Sequence, residues 1–391
     1  MNEVKKRKSL KWVARHFTKK LEETVICYAQ RCIQCKAYNP PGNEKEIAVM
    51  LAGILKEAGF ETKIEEFEEN RCNVIATYGN QDDIALILNG HMDVVPAFGK
   101  WERDPAGVQR ENGILYGRGS SDMLGGCAAI VTAAQLIAVN HIVPKRGIMV
   151  LLTGDEEDKN RGIRHVLSKG LLKADCAIIA EPTDCEIHLG NRGFSSFYVK
   201  TTGIACHSSE PWNGENAIYK MGKIIRTLEI YADQLRTVTS KALGQATASI
   251  GTIKGGIRLN TVADECIIEV ERRLLPGETA EKIHEELQQV VDGWGEVQER
   301  TFLPASLIDS NHKLVAECQQ LLGQIQGKTP DISVFRACTE ASMFSELCGI
   351  PTLLVGPGSL EQAHRTNEFC KEQDIIDCAK LFTAMIYYYI K

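Results

Sequence analysis

The stretch Ile84-Ala85-Leu86-Ile87-Leu88-Asn89-Gly90-His91-Met92-Asp93 reads as an apolar strand that ends in reactive side chains. A continuous apolar run of this length fits a strand buried on both faces. The pattern recurs along the chain. Residues 148–152 run into Thr153-Gly154-Asp155-Glu156-Glu157, and residues 176–180 into Glu181-Pro182-Thr183. Residues 351–355 run into Gly356-Pro357-Gly358-Ser359, with His364 just beyond. Helix-patterned segments at 123–139 and 162–168 separate these runs. Such alternation predicts an α/β fold on a mostly parallel central sheet. Ligands bind such sheets beyond the carboxyl ends of the strands, where all these polar clusters lie.

Upstream, residues 22–35 and 44–58 carry helical stripes, and 62–67 and 73–77 read as strands. The middle of the chain follows a different order. Strand 194–201, helix 215–235, strands 247–253 and 264–273, helix 279–291 and strand 297–302 give β-α-β-β-α-β. That is the split, ferredoxin-like α+β unit. The expected organisation is therefore one domain from 1–190 and 305–391, interrupted by a smaller domain at 191–304.

Composition narrows the class. The chain has 391 residues, 51 acidic against 45 basic, for a formal net charge of -6. Its 44% hydrophobic content excludes a disordered chain, and its length excludes a disulfide mini-protein. The acidic balance argues against nucleic-acid binding. No apolar run is long enough to cross a membrane. The basic N-terminus, Lys5 to Lys20, is expected to be the solvated face of a first helix rather than a targeting arm. The 14 cysteines, with no secretion signal, point to free thiols in a cytoplasmic compartment. Cys32 and Cys35 have CxxC spacing but lack a second matched pair, so with Cys27 they read as buried apolar residues.

Together the strand-end clusters offer His91, Asp93, Asp122, Glu156, Glu157, Glu181 and His364. This nitrogen–oxygen donor set suits zinc, with cobalt or manganese as substitutes. Two divalent ions sharing one carboxylate need about this many ligands. The adjacent Glu156 and Glu157 could supply one ligand and one general base. Taken singly, each has a plainer reading. A strand-end histidine is often structural, acidic pairs are often solvated, and Asp122 could cap the helix starting near Met123.

The ordered motifs resemble the dinuclear-zinc metallopeptidase family of acetylornithine deacetylase, succinyl-diaminopimelate desuccinylase, aminoacylase and glutamate carboxypeptidases. His91-Met92-Asp93 resembles its HxD motif, and Tyr116 to Met123 its YGRGxxDM. Thr153 to Glu157 resembles TxDEE, and Glu181-Pro182 resembles EP. Cys206 to Pro211 resembles HSSxP, with GGxxxN and RxLPG elements around Asn260 and Arg273. The resemblance implies one metal on His91, Asp122 and Glu181, and another on Asp122, Glu157 and His364. It implies that Asp93 orients the His91 ring and that Glu156 is the general base. The inserted domain becomes a lid and dimerisation domain, and His207 reaches an active site across a homodimer to steady the oxyanion. Arg273 and Asn260 would bind the substrate α-carboxylate. Glu181, where peptidases tend to have Asp, and the Cys338-Thr339-Glu340-Ala341 run lean toward deacylation of an N-acyl amino acid. N-acetylornithine leads, which implies a place in arginine biosynthesis. A carboxypeptidase, dipeptidase or succinyl-diaminopimelate desuccinylase activity is the alternative.

Overall fold

A computed structural model describes residues 2–391. The chain forms two compact units. The first takes in the chain up to Gly190, then Leu307–Phe335 and Thr339–Lys391. The second comprises Asn191–Ser306 and Arg336–Cys338.

The first unit is built on a nine-stranded sheet. Its centre is parallel: Gly147–Thr153, Ile84–His91, Ala177–Ile179 and Thr352–Leu354 lie side by side in that order. Antiparallel strands extend it, with Arg71–Tyr78 and Glu61–Glu68 on one side and Ile187–Asn191 on the other. Every residue of Ile84–His91 and Gly147–Thr153 is buried, as their unbroken apolar runs require. Register then determines what meets at the strand ends. His91 is level with Thr153, and Asn89 with Ile179, so Glu181 emerges at the height of His91. The helix Leu124–Val139 is buried along nearly its whole length, packed on the sheet and covered by Lys19–Gln34 and Glu372–Ile390. Gly126 allows the close approach, since a Cβ there would stand 2.4 Å from the carbonyl of Ala180.

The N-terminal basic run forms the helix Asn2–His16, which buries Ser9 and Val13 and leaves most of its lysines exposed, with Phe17 buried just beyond its end. Ser9 Oγ donates to the Ala384 carbonyl at 2.8 Å, anchoring the helix to the C-terminal one. Lys6 departs from the solvated-face reading; it is buried and donates to Gln320 at 2.6 Å. The next helix starts at Lys19, three residues before the apolar stripe announces it. Cys32 and Cys35 are buried, and burial pushes the Cys35 thiol up to about 11. Cys27 is exposed, contrary to expectation, because it points off the outer face of the same helix. No helix is long and apolar enough to cross a membrane among the described residues.

The second unit is a four-stranded antiparallel sheet, ordered Thr247–Gly255, Glu265–Leu274, Gly193–Thr202, Glu296–Leu303. Strict alternation of buried and half-buried residues in Gly193–Thr202 marks a sheet with one covered face. Helices Ala217–Leu235 and Ala280–Val291 cover it. Both start on side-chain caps, Asn216 accepting from Ile218 and Tyr219 amides and Thr279 from the Lys282 amide. A small ribbon, Thr239–Ser240 with Gly244–Gln245, is an addition the sequence pattern did not announce.

Candidate metal centre

The strand ends bring His91, Asp122, Glu157 and His364 into direct contact, with Glu156 and Glu181 near enough for their charges to act on His91. His91 closes the Ile84–His91 strand and is 1% exposed. Its Nδ1 bonds the main-chain carbonyl of Asp93 at 2.9 Å, so Nε2 faces the cluster and stands 3.2 Å from Asp122 Oδ1. The other oxygen of Asp122, Oδ2, lies 3.5 Å from His364 Nε2. His364 Nε2 is also 2.9 Å from Glu157 Oε2. One carboxylate thus divides its two oxygens between two histidines.

Two expectations change at this level of detail. Asp122 does not cap the following helix: Met123 is the N-cap residue, without a side-chain cap bond, and the Asp122 side chain goes to the histidines. Asp93 does hold the His91 ring, but through its carbonyl; its carboxylate lies 3.8 Å from Nδ1. That carboxylate instead accepts from the amides of Glu156 and Glu157, both at 3.1 Å, and from Asn39 Nδ2 at 2.8 Å. It braces the turn that presents the acidic pair.

Asp155, in the same turn, is a structural anion. It pairs with Arg71 and Arg161, each at 2.7 Å, and Arg71 also pairs with Glu44. Burial opposes the ionisation of Asp155, but bonds from Arg161, Asn39 and Arg71 overcome it and hold the carboxyl near 2.

The remaining acids are short of positive charge. Burial first, then the charges of Glu181, Glu157 and Glu340, push Glu156 well above the usual carboxylate range. Glu181 is raised in the same way by burial and by Asp122, and Glu157 by burial and Asp122. Burial resists the Asp122 charge, yet the bond and charge of His91, with His364, keep it ionised below its usual value. Burial likewise opposes protonation of His91, but Asp122, Glu156 and Glu181 raise it well above the ordinary imidazole range. The bond to Glu157 raises His364.

This donor set fits divalent cations. His91, Asp122 and Glu157 each offer a ligand atom within 4.8 Å of the others. Glu157 Oε1 is buried without a hydrogen-bond partner. Two ligand atoms bound at about 2.1 Å to one tetrahedral ion stand roughly 3.4 Å apart, close to the His91–Asp122 and His364–Asp122 separations.

The sequence profile of peptidase family M20/M25/M40 matches residues 87–388. The chain belongs to this family. It is a metal-dependent hydrolase, and it is 34% identical to the acetylornithine deacetylase of Proteus mirabilis, over 82% of this chain and 84% of that one. A family M20 metallo-carboxypeptidase from Sulfolobus solfataricus superposes with a TM-score of 0.77 at 19% identity, covering 95% of this chain and 99% of that one. A dinuclear metal-binding M20 peptidase from Bacillus subtilis superposes at 0.71 with 16% identity, covering 95% and 99%. These two likenesses concern the fold.

Two buried carboxylates escaped sequence reasoning as parts of this M20 site. Glu340 accepts from Thr153 Oγ1 at 2.7 Å and Asn89 Nδ2 at 3.1 Å, tying together the two strands that deliver His91 and the acidic pair. Burial pushes it up to about 7 against the pull of Thr153 and His91. Glu368 accepts from Arg118 and from main-chain amides of the loop before Asp122. Its spacing from His364, four residues, was the available signal.

The other expected residues lie in the second unit. His207 is exposed, and the Ser209 amide donates to its Nδ1 at 3.2 Å, which places the ring proton on Nε2. Asn260 is its neighbour: the Ser208 amide donates to the Asn260 carbonyl at 3.1 Å. Arg273 is half-buried against Phe194, pairs with Glu271 at 2.5 Å and donates to Cys338 Sγ at 3.4 Å.

Proposed function

We propose that the protein is a dinuclear enzyme that deacylates an N-acyl amino acid, with N-acetylornithine as the leading substrate. The carrying observation is Asp122, whose two oxygens face His91 and His364 separately, as a bridging ligand requires. One ion would sit on His91, Asp122 and Glu181, the other on Asp122, Glu157 and His364. Zinc suits the donors, with cobalt or manganese able to substitute. Bound ions would supply Lewis acidity to polarise the acyl carbonyl and acidify water.

The remaining steps fall to side chains. Glu156, beside Glu157 on a turn braced by Asp93, takes the proton of the attacking water and returns it to the leaving nitrogen. Its burial among other acids raises its basicity. His207 Nε2–H donates to the oxyanion of the tetrahedral intermediate. The planar fork of Arg273, with Asn260, holds the α-carboxylate, displacing Glu271. The second unit serves as lid and dimerisation domain. Its edge strand Thr247–Gly255 is largely exposed and flanks an apolar groove of about 250 Å³ lined by Ile225, Leu228, Ile250 and Val270. An exposed edge beside an apolar groove is a natural pairing surface for a second copy. The cysteines suit a reducing cytoplasm.

The substrate assignment rests on the 34% identity to an acetylornithine deacetylase together with Glu181 and the Cys338 to Ala341 run. The zinc-loaded enzyme should release acetate from N-acetylornithine in preference to N-succinyl-diaminopimelate and to a dipeptide panel. Faster cleavage of dipeptides would make it a peptidase, and no cleavage of any member would end the proposal.

A further inference from the structure

Glu368 has no part in the chemistry above, yet it is completely buried at the edge of the metal cluster. Each of its oxygens accepts two donors. Oε2 takes Arg118 Nη1 at 2.6 Å and the Gly119 amide at 3.0 Å. Oε1 takes the amides of Ser121 at 2.9 Å and Asp122 at 3.1 Å. The main-chain carbonyl of Glu368 accepts from the Gly117 amide at 3.0 Å. The loop that ends in Asp122 is therefore wrapped around this one side chain. Gly119, at φ 86°, permits the wrap. A second tie joins the same pair of loops, Ser121 Oγ donating to the Ser359 carbonyl at 3.0 Å.

We infer that Glu368 is a positioning residue that clamps the Asp122 loop to the His364 loop and so sets the geometry of the second metal position. The inference rests on reading Asp122 and His364 as ligands of one ion. The two histidines differ in what holds them. His91 ends a central strand and is 1% exposed. His364 sits in a loop at φ 61° with its side chain 54% exposed. Its placement depends on the anchor four residues later. Loosening Glu368 therefore disturbs the shared Asp122 at both positions, but His91 stays fixed by its strand, whereas the His364 position loses the support of two ligands at once.

The carboxylate itself is required. All four donors are N–H groups, so a carboxamide would turn its NH2 toward two of them and leave buried amides unsatisfied. Aspartate keeps the charge for Arg118 but is one methylene too short to reach every donor. Removing the charge alone strands Arg118, which is 2% exposed, without its partner. A double variant, Arg118→Met with Glu368→Leu, removes both charges and separates clamping from charge balance.

The test is cobalt titration of the full-length apo-protein, followed by calorimetry and by visible absorption of the bound ion. Wild type, Glu368→Gln, Glu368→Asp and the double variant are compared. In each variant the first ion should bind within about threefold of wild type, and the second about tenfold or more weakly, as lost support of a ligand does elsewhere. The double variant should behave like Glu368→Gln, and Glu368→Asp should fall between Glu368→Gln and wild type. At saturating cobalt, kcat should drop while KM holds. Two ions bound with wild-type affinity in any variant, or equal weakening of both, would overturn the inference. If wild type itself takes up fewer than two ions, the dinuclear reading fails instead, and the control shows it directly.

Discussion

The strand-end cluster of the first unit and the His207–Asn260–Arg273 group of the second are built on opposite plans. Apart from the loop-borne, half-exposed His364, the cluster is buried and densely braced. Asp93 holds the acidic turn by two amides, Glu340 ties strand to strand, and Arg71 and Arg161 fix Asp155. The second group sits on exposed or half-buried backbone with few partners. His207 has its own Ser209, and Arg273 has Glu271. Metal ligands must be held within a fraction of an ångström, and a dense network does this. Groups that greet a substrate gain from being able to release one partner for another. The comparison separates damage to metal from damage to substrate handling.

The largest effect should come from the centre of the braced region. Asp122→Ala should lose both ions and reduce turnover by about four orders of magnitude, read by metal analysis and steady-state assay. Retention of both ions would contradict the bridging role. His207→Ala should keep both ions and lose about 10²- to 10³-fold in kcat, the range for one oxyanion donor. Arg273→Met should raise KM about tenfold with a smaller change in kcat, and should weaken inhibition by free amino-acid product in parallel. The smallest effect is on stability. Asp155 is held near 2 against an ordinary 3.8, so its contribution, about 2 kcal/mol, is fully present above pH 4 and is lost as pH falls toward 2. Asp155→Asn should flatten that part of the acid-denaturation curve; an unchanged curve would show that its ion pairs do not stabilise the fold.

The same contrast explains what the sequence disclosed. Residues that end apolar strands were legible, because an unbroken run such as 84–88 announces both its burial and the point where it stops. His91 and Glu181 could be aligned by that logic, and parallel register makes them level. The split βαββαβ pattern was equally visible, since one covered face imposes alternation on Gly193–Thr202. What stayed hidden was the second layer of support. Glu368 and Glu340 act through hydrogen bonds to segments some 250 and 190–250 positions away, and no local spacing encodes such partners. The choice of atom was hidden too: the residue type does not say which oxygen of Asp93 meets the His91 ring, and the turn geometry gives that task to its main-chain carbonyl. Helix starts drifted by a few residues, as at Lys19, because polar first turns lack an apolar stripe.

On the proposed reading, Glu157 holds metal while its neighbour Glu156 handles protons. Metal content and turnover of Glu156→Ala and Glu157→Ala, measured side by side on zinc-loaded protein, test it most directly. Glu156→Ala should retain two ions per chain and lose at least about 10³-fold in kcat, and Glu157→Ala should retain one ion. Loss of an ion from Glu156→Ala, with two ions kept in Glu157→Ala, would reverse the two roles and contradict the account.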